Sequence, residues 1–375
     1  MKTVRPFGVP MTRQPSPSLV IEPTANPTSA EARQALLANP VFGKVFTDHM
    51  VTVQHSNERG WYDAKLAARE DFVFSPGTTV LHYGLEIFEG LKAYRQAGGG
   101  VALFRPDANA RRFANSARRL AMAPLPEDLF IEAVKAISDL DRDWIPEQDG
   151  ASLYLRPFML AADATLGLKP ADQCLFSVIA SPVAAYFKGG AAAVSLWVSD
   201  HFTRAAPGGT GDVKCGGNYA AAMVAQLEAG RQGCDQVVFL DAVERQWVEE
   251  LGGMNVFFVF DDGSIQTPPL TGTILPGITR DSIIQLAMDK GLTVREERYS
   301  IDQWQQDAQS GRLVEAFACG TAAVVTPIGK VTGNRHDFTI GNGEGGEVTA
   351  MLKAALLDIQ YGRSEDPHGW MVQLG

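Results

Sequence analysis

The sequence predicts a mixed α/β fold in two domains, and three observations carry that expectation. The chain has 375 residues, long enough for two or three domains at about 150 residues each. Short runs rich in Val, Leu, Phe and Tyr alternate with stretches of helical periodicity. Glycine is in surplus, 37 residues, and most of the excess lies in the second half, where loops are built for close backbone approach. Hydrophobic residues make up 45% and charged residues 20% of the chain, a composition that builds globular cores.

The opening stretch to Ser18 is basic, lacks acids and is interrupted by prolines, which reads as a solvated tail. No apolar core follows Lys2 and Arg5, so no secretory signal is expected. Regular segments begin near Ala30. Spacings of three and four join Phe113, Ala117 and Leu120, then Leu129, Ala133, Ile137, Leu140 and Trp144. Each set places an apolar stripe against a core. Segments 152–160, 175–180 and 194–199 are short and bounded by Gly, Pro or Asp, as buried strands are. The Pro- and Gly-bearing stretch 182–190 reads as a linker. Beyond it the helical stripe returns at Ala220, Val224 and Leu227, at Ile284 and Ala287, and at Val348, Leu352, Leu356 and Ile359. Residues 247–260 read as a hairpin turning at Gly252 and Gly253.

Charge and composition exclude several classes of function. Forty-three acidic residues against 33 basic ones give a net charge of −10, a surface that repels a polyanion, so no nucleic-acid partner is expected. The uncharged apolar stretch 174–187 contains Pro182 and falls short of the roughly 20 residues of a membrane helix. Four widely spread cysteines without a CxxC pair suggest reduced thiols in a cytoplasm. Six scattered histidines lack metal-ligand spacing, so no metal is expected.

Four constellations carry chemistry. The first, PGGTGDVKCGGNY at 207–219, sets Lys214 among glycines 208, 209, 211, 216 and 217. A P-loop is excluded, because Val213 and Cys215 stand where glycine and Ser/Thr are required. Two readings remain for this loop alone: a solvated surface lysine, or a Schiff-base lysine whose amine is made nucleophilic by burial and whose glycines let a flat ring approach. The second is Glu250 at the 247–260 turn, a carboxylate suited to a cationic ring nitrogen, with Glu249 beside it read as a solvated edge residue. The third is LPGITR at 275–280, opening a helix whose first N–H groups form an anion site. The fourth is Cys319-Gly320-Thr321-Ala322-Ala323, a hydroxyl and amides at a strand end.

A lysine, a carboxylate, an anion site and a Gly-Thr turn are together what pyridoxal phosphate requires. Their order is Glu250-x-Gly252-x-x-Asn255-Val256-Phe257, Ile265-x-Thr267, then Leu275-x-Gly277-Ile278-x-Arg280. It resembles the signature of the class IV, or fold type IV, aminotransferases. The likeness extends to the branched-chain amino acid aminotransferases through FGKVFTDHM (42–50), LHYGLEIFEGLKAY (81–94), LFRPDANARRF (103–113), SLYLRPF (152–158) and DIQYGR (358–363).

The resemblance implies two α/β domains, 1–183 and 195–375, joined by a loop at 184–194, with pyridoxal phosphate at their interface. It makes Lys214 the Schiff-base lysine, Glu250 the ring-nitrogen partner and Tyr219 the partner of the phenolic oxygen. It assigns the phosphate to Arg112, Ile278, Thr279 and Thr321. Arg111 and Arg112 diverge by about 100° on a helix, so only one faces the phosphate; the family's spacing favours Arg112 and leaves Arg111 in solvent.

The implied substrate pocket is Phe42, Tyr83, Phe88, Tyr154, Arg156, Tyr186, Gly253, Met254, Ala322 and Ala323. Aromatic walls suit branched aliphatic side chains, and Arg156 offers a fork to a second carboxylate. The implied reaction is reversible amino transfer between L-leucine, L-isoleucine or L-valine and 2-oxoglutarate, in a homodimer. A thiol pair after the Gly-Thr-Ala turn is excluded, since Ala323 and Thr326 occupy those positions. The rivals are D-amino acid aminotransferases and aminodeoxychorismate lyases of the same fold, a P-loop phosphotransferase and a non-catalytic binding module.

Overall fold

The strand Ser152–Ala161 shows how the sequence divides its two faces. Leu153, Leu155, Met159 and Ala161 enter a core, while the alternate positions Tyr154 and Arg156 point the other way into a cavity, as a period of two requires. The fold is described by a computed structural model covering residues 16–184 and 193–375.

Among the described residues two nine-stranded sheets organise the fold. In the first, Ser152–Ala161 lies between Gln173–Val183 and Leu91–Arg95, all antiparallel, and the short strand Glu86–Phe88 pairs with its far end. Helices Pro106–Arg119 and Glu127–Leu140 cover one face. Phe113, Phe130 and Phe176 pack there with ring centroids 5.4–6.1 Å apart, and each fully buried ring contributes on the order of 1.5–3 kcal/mol. The chain's last strand, Met371–Gln373, returns to pair with Val101–Phe104 of this sheet.

The second sheet is mixed. Val194–Ser199 runs parallel to both Gln236–Leu240 and Val324–Thr332, and Leu313–Gly320 pairs antiparallel with Asn255–Phe260. A cluster that includes Tyr94 and Phe104 from the first sheet and Phe257, Ile283, Phe317 and Leu352 from the second half joins the two. The cavity opens where the sheets meet.

Three sequence expectations are corrected. Residues 247–260 do not form a hairpin ladder. Leu251 N donates to Met254 O across the turn (2.9 Å), after which Val248–Leu251 pairs with Gln236–Leu240 and Asn255–Phe260 with Leu313–Gly320. The stripe Ala220, Val224, Leu227 on helix Gly216–Arg231 faces solvent together with Met223, and the helix instead buries Ala222, Ala225 and Ala229. Alanines fit the close approach to the sheet that the bulkier stripe would prevent. Pro182 belongs to a strand, and the linker positions 185–190, like Tyr186, lie outside the described residues.

Candidate active site

Lys214 precedes the helix Gly216–Arg231, and its backbone is held from the first sheet's side. Lys214 N donates to Ser116 Oγ (3.2 Å) and Phe88 N donates to Lys214 O (3.0 Å). Glu86, on the same short strand as Phe88, accepts from Gly216 N. A side chain at Gly211 would overlap the Thr273 backbone, and one at Gly216 the Glu86 carboxylate. At these positions glycine serves the approach of chain to chain, where the sequence reading gave the role to a flat ring. Lys214 Nζ donates to Tyr219 Oη (2.9 Å) and lies 4.9 Å from the Phe88 ring centroid.

Around this amine is a cavity of about 170 Å³. Glu250 lines it, buried, 2.6 Å from an Arg204 guanidinium nitrogen and accepting from Leu275 N at 3.0 Å. Burial pushes its carboxyl up to about 7, against the pull of Arg204 and the Leu275 amide. Glu249 is buried too, accepting from Thr273 Oγ1 (2.5 Å), and burial raises its carboxyl. The reading of Glu249 as a solvated edge residue is therefore wrong, because the Thr273 segment covers the strand.

The helix Ile278–Asp289 begins at the same cavity, with Ile278, Thr279 and Thr321 on its wall. Arg112 reaches this wall from the helix Pro106–Arg119, while Arg111 turns outward to Asp107 at 2.7 Å. Arg112 forms a fork with buried Glu89, Nε to Oε1 at 2.7 Å and Nη2 to Oε2 at 2.8 Å, and its Nη1 donates to Pro276 O (3.0 Å). Asn109 Nδ2 and Gly90 N also donate to Glu89. Burial alone would raise the Glu89 carboxyl; the Arg112 guanidinium holds it below its usual range.

The cavity is also lined by Phe42, Phe88, Tyr154, Arg156, Gly253, Met254 and Ala322. Arg156 Nη2 donates to the Tyr154 hydroxyl (3.1 Å) and the guanidinium sits 4.9 Å from the Phe88 ring centroid, yet Arg156 Nε is buried without a partner. Such a donor is costly unless an acceptor enters the cavity. Two expected pocket residues stand apart. Tyr83 is exposed and donates to Leu166 O (2.5 Å), since its short helix Val80–Tyr83 runs over the surface. Ala323 is buried and is not among the residues lining the cavity.

Sequence reasoning missed Glu86, Glu89 and Arg204. Glu86 and Glu89 lie inside a segment quoted for its resemblance, but nothing in local spacing announces that they meet Gly216 and Arg112. The four cysteines are free and buried, and burial pushes the Cys319 thiol up to about 12. Among the described residues no cluster of three His, Cys, Asp or Glu could hold a metal, and no helix is long and apolar enough to cross a membrane.

Comparison with known proteins places the scaffold in a family. The profile of the amino-transferase class IV family matches residues 86–331. A probable branched-chain-amino-acid aminotransferase of Streptomyces coelicolor is 55% identical over 96% of this chain and 99% of its own length. The branched-chain-amino-acid aminotransferase of Mycobacterium tuberculosis is 51% identical over 93% of this chain and 96% of its own. The solved branched-chain amino acid aminotransferase of Escherichia coli superposes with a TM-score of 0.73 at 29% identity, covering 88% of this chain and 99% of that one. That of T.th., complexed with N-(5'-phosphopyridoxyl)-L-glutamate, gives 0.71 at 30% identity over 87% and 98%. Lysine, tyrosine, the Glu250 carboxylate and Arg112 thus stand on a scaffold shared along almost the whole chain, and the chain belongs to the class IV aminotransferases, in the branched-chain-amino-acid aminotransferase family.

Proposed function

We propose that the protein transfers the amino group of L-leucine, L-isoleucine or L-valine reversibly to 2-oxoglutarate, with pyridoxal phosphate as cofactor and Lys214 as the reacting amine. The observation that carries the reading is Lys214 Nζ, hydrogen-bonded to Tyr219, in one cavity with the Glu250 carboxylate and with Arg112 and the start of the helix Ile278–Asp289. The donor set fits the cofactor: Glu250 for a protonated ring nitrogen, and Arg112, Thr279, Thr321 and the amides at Ile278 and Thr279 for a phosphate. When bound, the cofactor supplies the electron sink that makes the substrate α-proton labile.

The protein's own residues do the rest. As a free amine Lys214 Nζ would accept that proton and deliver it on the far side of the transferred nitrogen, and Tyr219 Oη, its hydrogen-bond partner, orients the amine. Phe88, Tyr154, Phe42 and Met254 form walls for a branched aliphatic side chain. The unpartnered Nε of Arg156 gives a second carboxylate a binding point, so a dicarboxylic and an aliphatic substrate use one cavity in turn. Glu86 and Ser116 hold the lysine loop, which sets the reach of Nζ.

We read the sheets as two domains meeting at this cavity. We also infer a homodimer: Met223, Val224 and Leu227 on the helix after Lys214, and Leu81, Leu166 and Leu168 near Tyr83, leave large apolar side chains exposed. The free buried cysteines support a cytoplasmic setting. The test is a donor panel of L-leucine, L-isoleucine, L-valine and D-alanine with 2-oxoglutarate, repeated with Lys214→Ala. Wild-type protein should accept the three branched L-donors and reject D-alanine, and the variant should lose turnover. Preference for D-alanine, or substantial turnover by Lys214→Ala, would overturn the proposal.

A further inference from the structure

Lys92 sits on the strand Leu91–Arg95, whose other face, Leu91 and Ala93, enters the core of the first sheet. Its own side chain crosses toward the second sheet, and Nζ donates to Ala322 O at 3.1 Å. Ala322 belongs to the turn after Gly320, where Val324 is held at φ 60°, a conformation that a β-branched residue adopts only under constraint from its surroundings. Lys92 also lines a recess that shares Gly90, Ile278, Thr279 and Thr321 with the main cavity, on the side of the helix Ile278–Asp289 start.

The charges around this recess decide what Lys92 does. Arg112 is neutralised by the Glu89 fork, Arg105 pairs with Asp281, and Arg280 with Glu296. Among the described residues Lys92 has no carboxylate partner, and its one hydrogen bond is to a backbone carbonyl. It is nevertheless 6% exposed. An ammonium group has three donors, so two remain for the recess. Burial pushes the amine down to about 8, which leaves it protonated at neutral pH. A buried, unpaired cation beside a helix N-terminus is balanced only when an anion arrives.

We infer that Lys92 is the charge-balancing positioning residue for the cofactor phosphate, supplying the net positive charge that the Arg112–Glu89 pair does not, while bracing the Thr321–Ala322 turn. This rests on the pyridoxal phosphate reading above. The experiment measures binding of pyridoxal 5'-phosphate and of pyridoxal, which lacks the phosphate, to apoenzyme by absorbance titration, for wild type, Lys92→Met and Lys92→Gln. One charge facing a phosphate dianion in a protein interior predicts that the preference for the phosphorylated form falls at least about tenfold in both variants.

Lys92→Gln can keep a hydrogen bond to Ala322 while losing the charge, so it separates charge from bracing and carries the test if Lys92→Met fails to fold. Equal weakening of both ligands, or an unchanged preference in Lys92→Gln, would overturn the inference. Failure of wild-type protein to prefer the phosphorylated form would instead overturn the cofactor reading itself.

Discussion

Two buried arginine–glutamate pairs each give one member to the cavity wall, Arg112 and Glu250, and they are built to opposite purposes. In the first, Glu89 is saturated: two guanidinium contacts from Arg112, one amide from Asn109 and one backbone N–H from Gly90. In the second, Glu250 has one contact with Arg204 and one backbone N–H, with acidic Glu249 adjacent. Burial is opposed successfully in the first pair and only partly in the second, so one carboxyl lies below its ordinary range and the other near 7. A saturated pair is scaffolding that presents its arginine. An undersatisfied one keeps affinity for a further cation, which a protonated pyridine would supply.

The largest effect that tests this contrast is on the saturated pair. Arg112→Met leaves Glu89 buried without its main partner, and removing one member of a buried pair costs about 3–5 kcal/mol. Urea unfolding of the apoenzyme should show that loss, and adding Glu89→Gln should restore most of it. A loss below about 1 kcal/mol would mean that the fork does not hold the scaffold. The next effect falls on the other pair. Glu250→Gln preserves shape and an acceptor for Leu275 N but removes the charge, and the loss of one preorganised electrostatic partner costs about 10²–10³ in kcat. A kcat within a few-fold of wild type would place the ring-nitrogen partner elsewhere.

The same contrast explains what could be read before any coordinates. Lys214, Glu250 and the Ile278–Thr279 helix start were singled out because each lies in a short motif whose chemistry is local, although the Lys214 loop alone left two readings open and Tyr219 came only from the family resemblance. Segment 152–160 was legible as a strand, whereas its division into Leu153 and Leu155 on the core face and Tyr154 and Arg156 on the cavity face emerged only from the structure. Glu89, Arg204 and Lys92 were not, since each acquires its role from a partner far along the chain: Arg112 across 23 positions, Glu250 across 46, Ala322 across 230. Glu249 was misread for a related reason, since the Thr273 segment that buries it is remote in sequence. The exposed stripe on Gly216–Arg231 followed the rule for helical spacing but not for burial, because small alanines on the opposite face let that helix lie closer to the sheet.

The smallest expected effect is also the one that places both pairs on a single scale. Glu250 titrates in the folded apoenzyme near 7 against about 4.5 in the unfolded chain. Between those values the folded state holds the extra proton, so this group's contribution to stability falls as pH rises from about 4.5 to 7 and stays lost above. Glu89 is depressed, so its contribution is present above about 4.5 and disappears as pH drops below that value. The two pairs therefore pull stability in opposite directions in adjoining windows. Glu249 and Glu86 are raised by burial and slope the same way as Glu250, so the informative quantity is the difference between wild type and Glu250→Gln. Urea midpoints of the two apoenzymes at pH 5, 6, 7 and 8 should diverge below pH 7 by at most about 1.4 kcal/mol per pH unit, the limit for one proton, with the wild type gaining relative stability toward pH 5. Parallel curves would show that Glu250 is satisfied as fully as Glu89, and the functional distinction between the two pairs would fail with them.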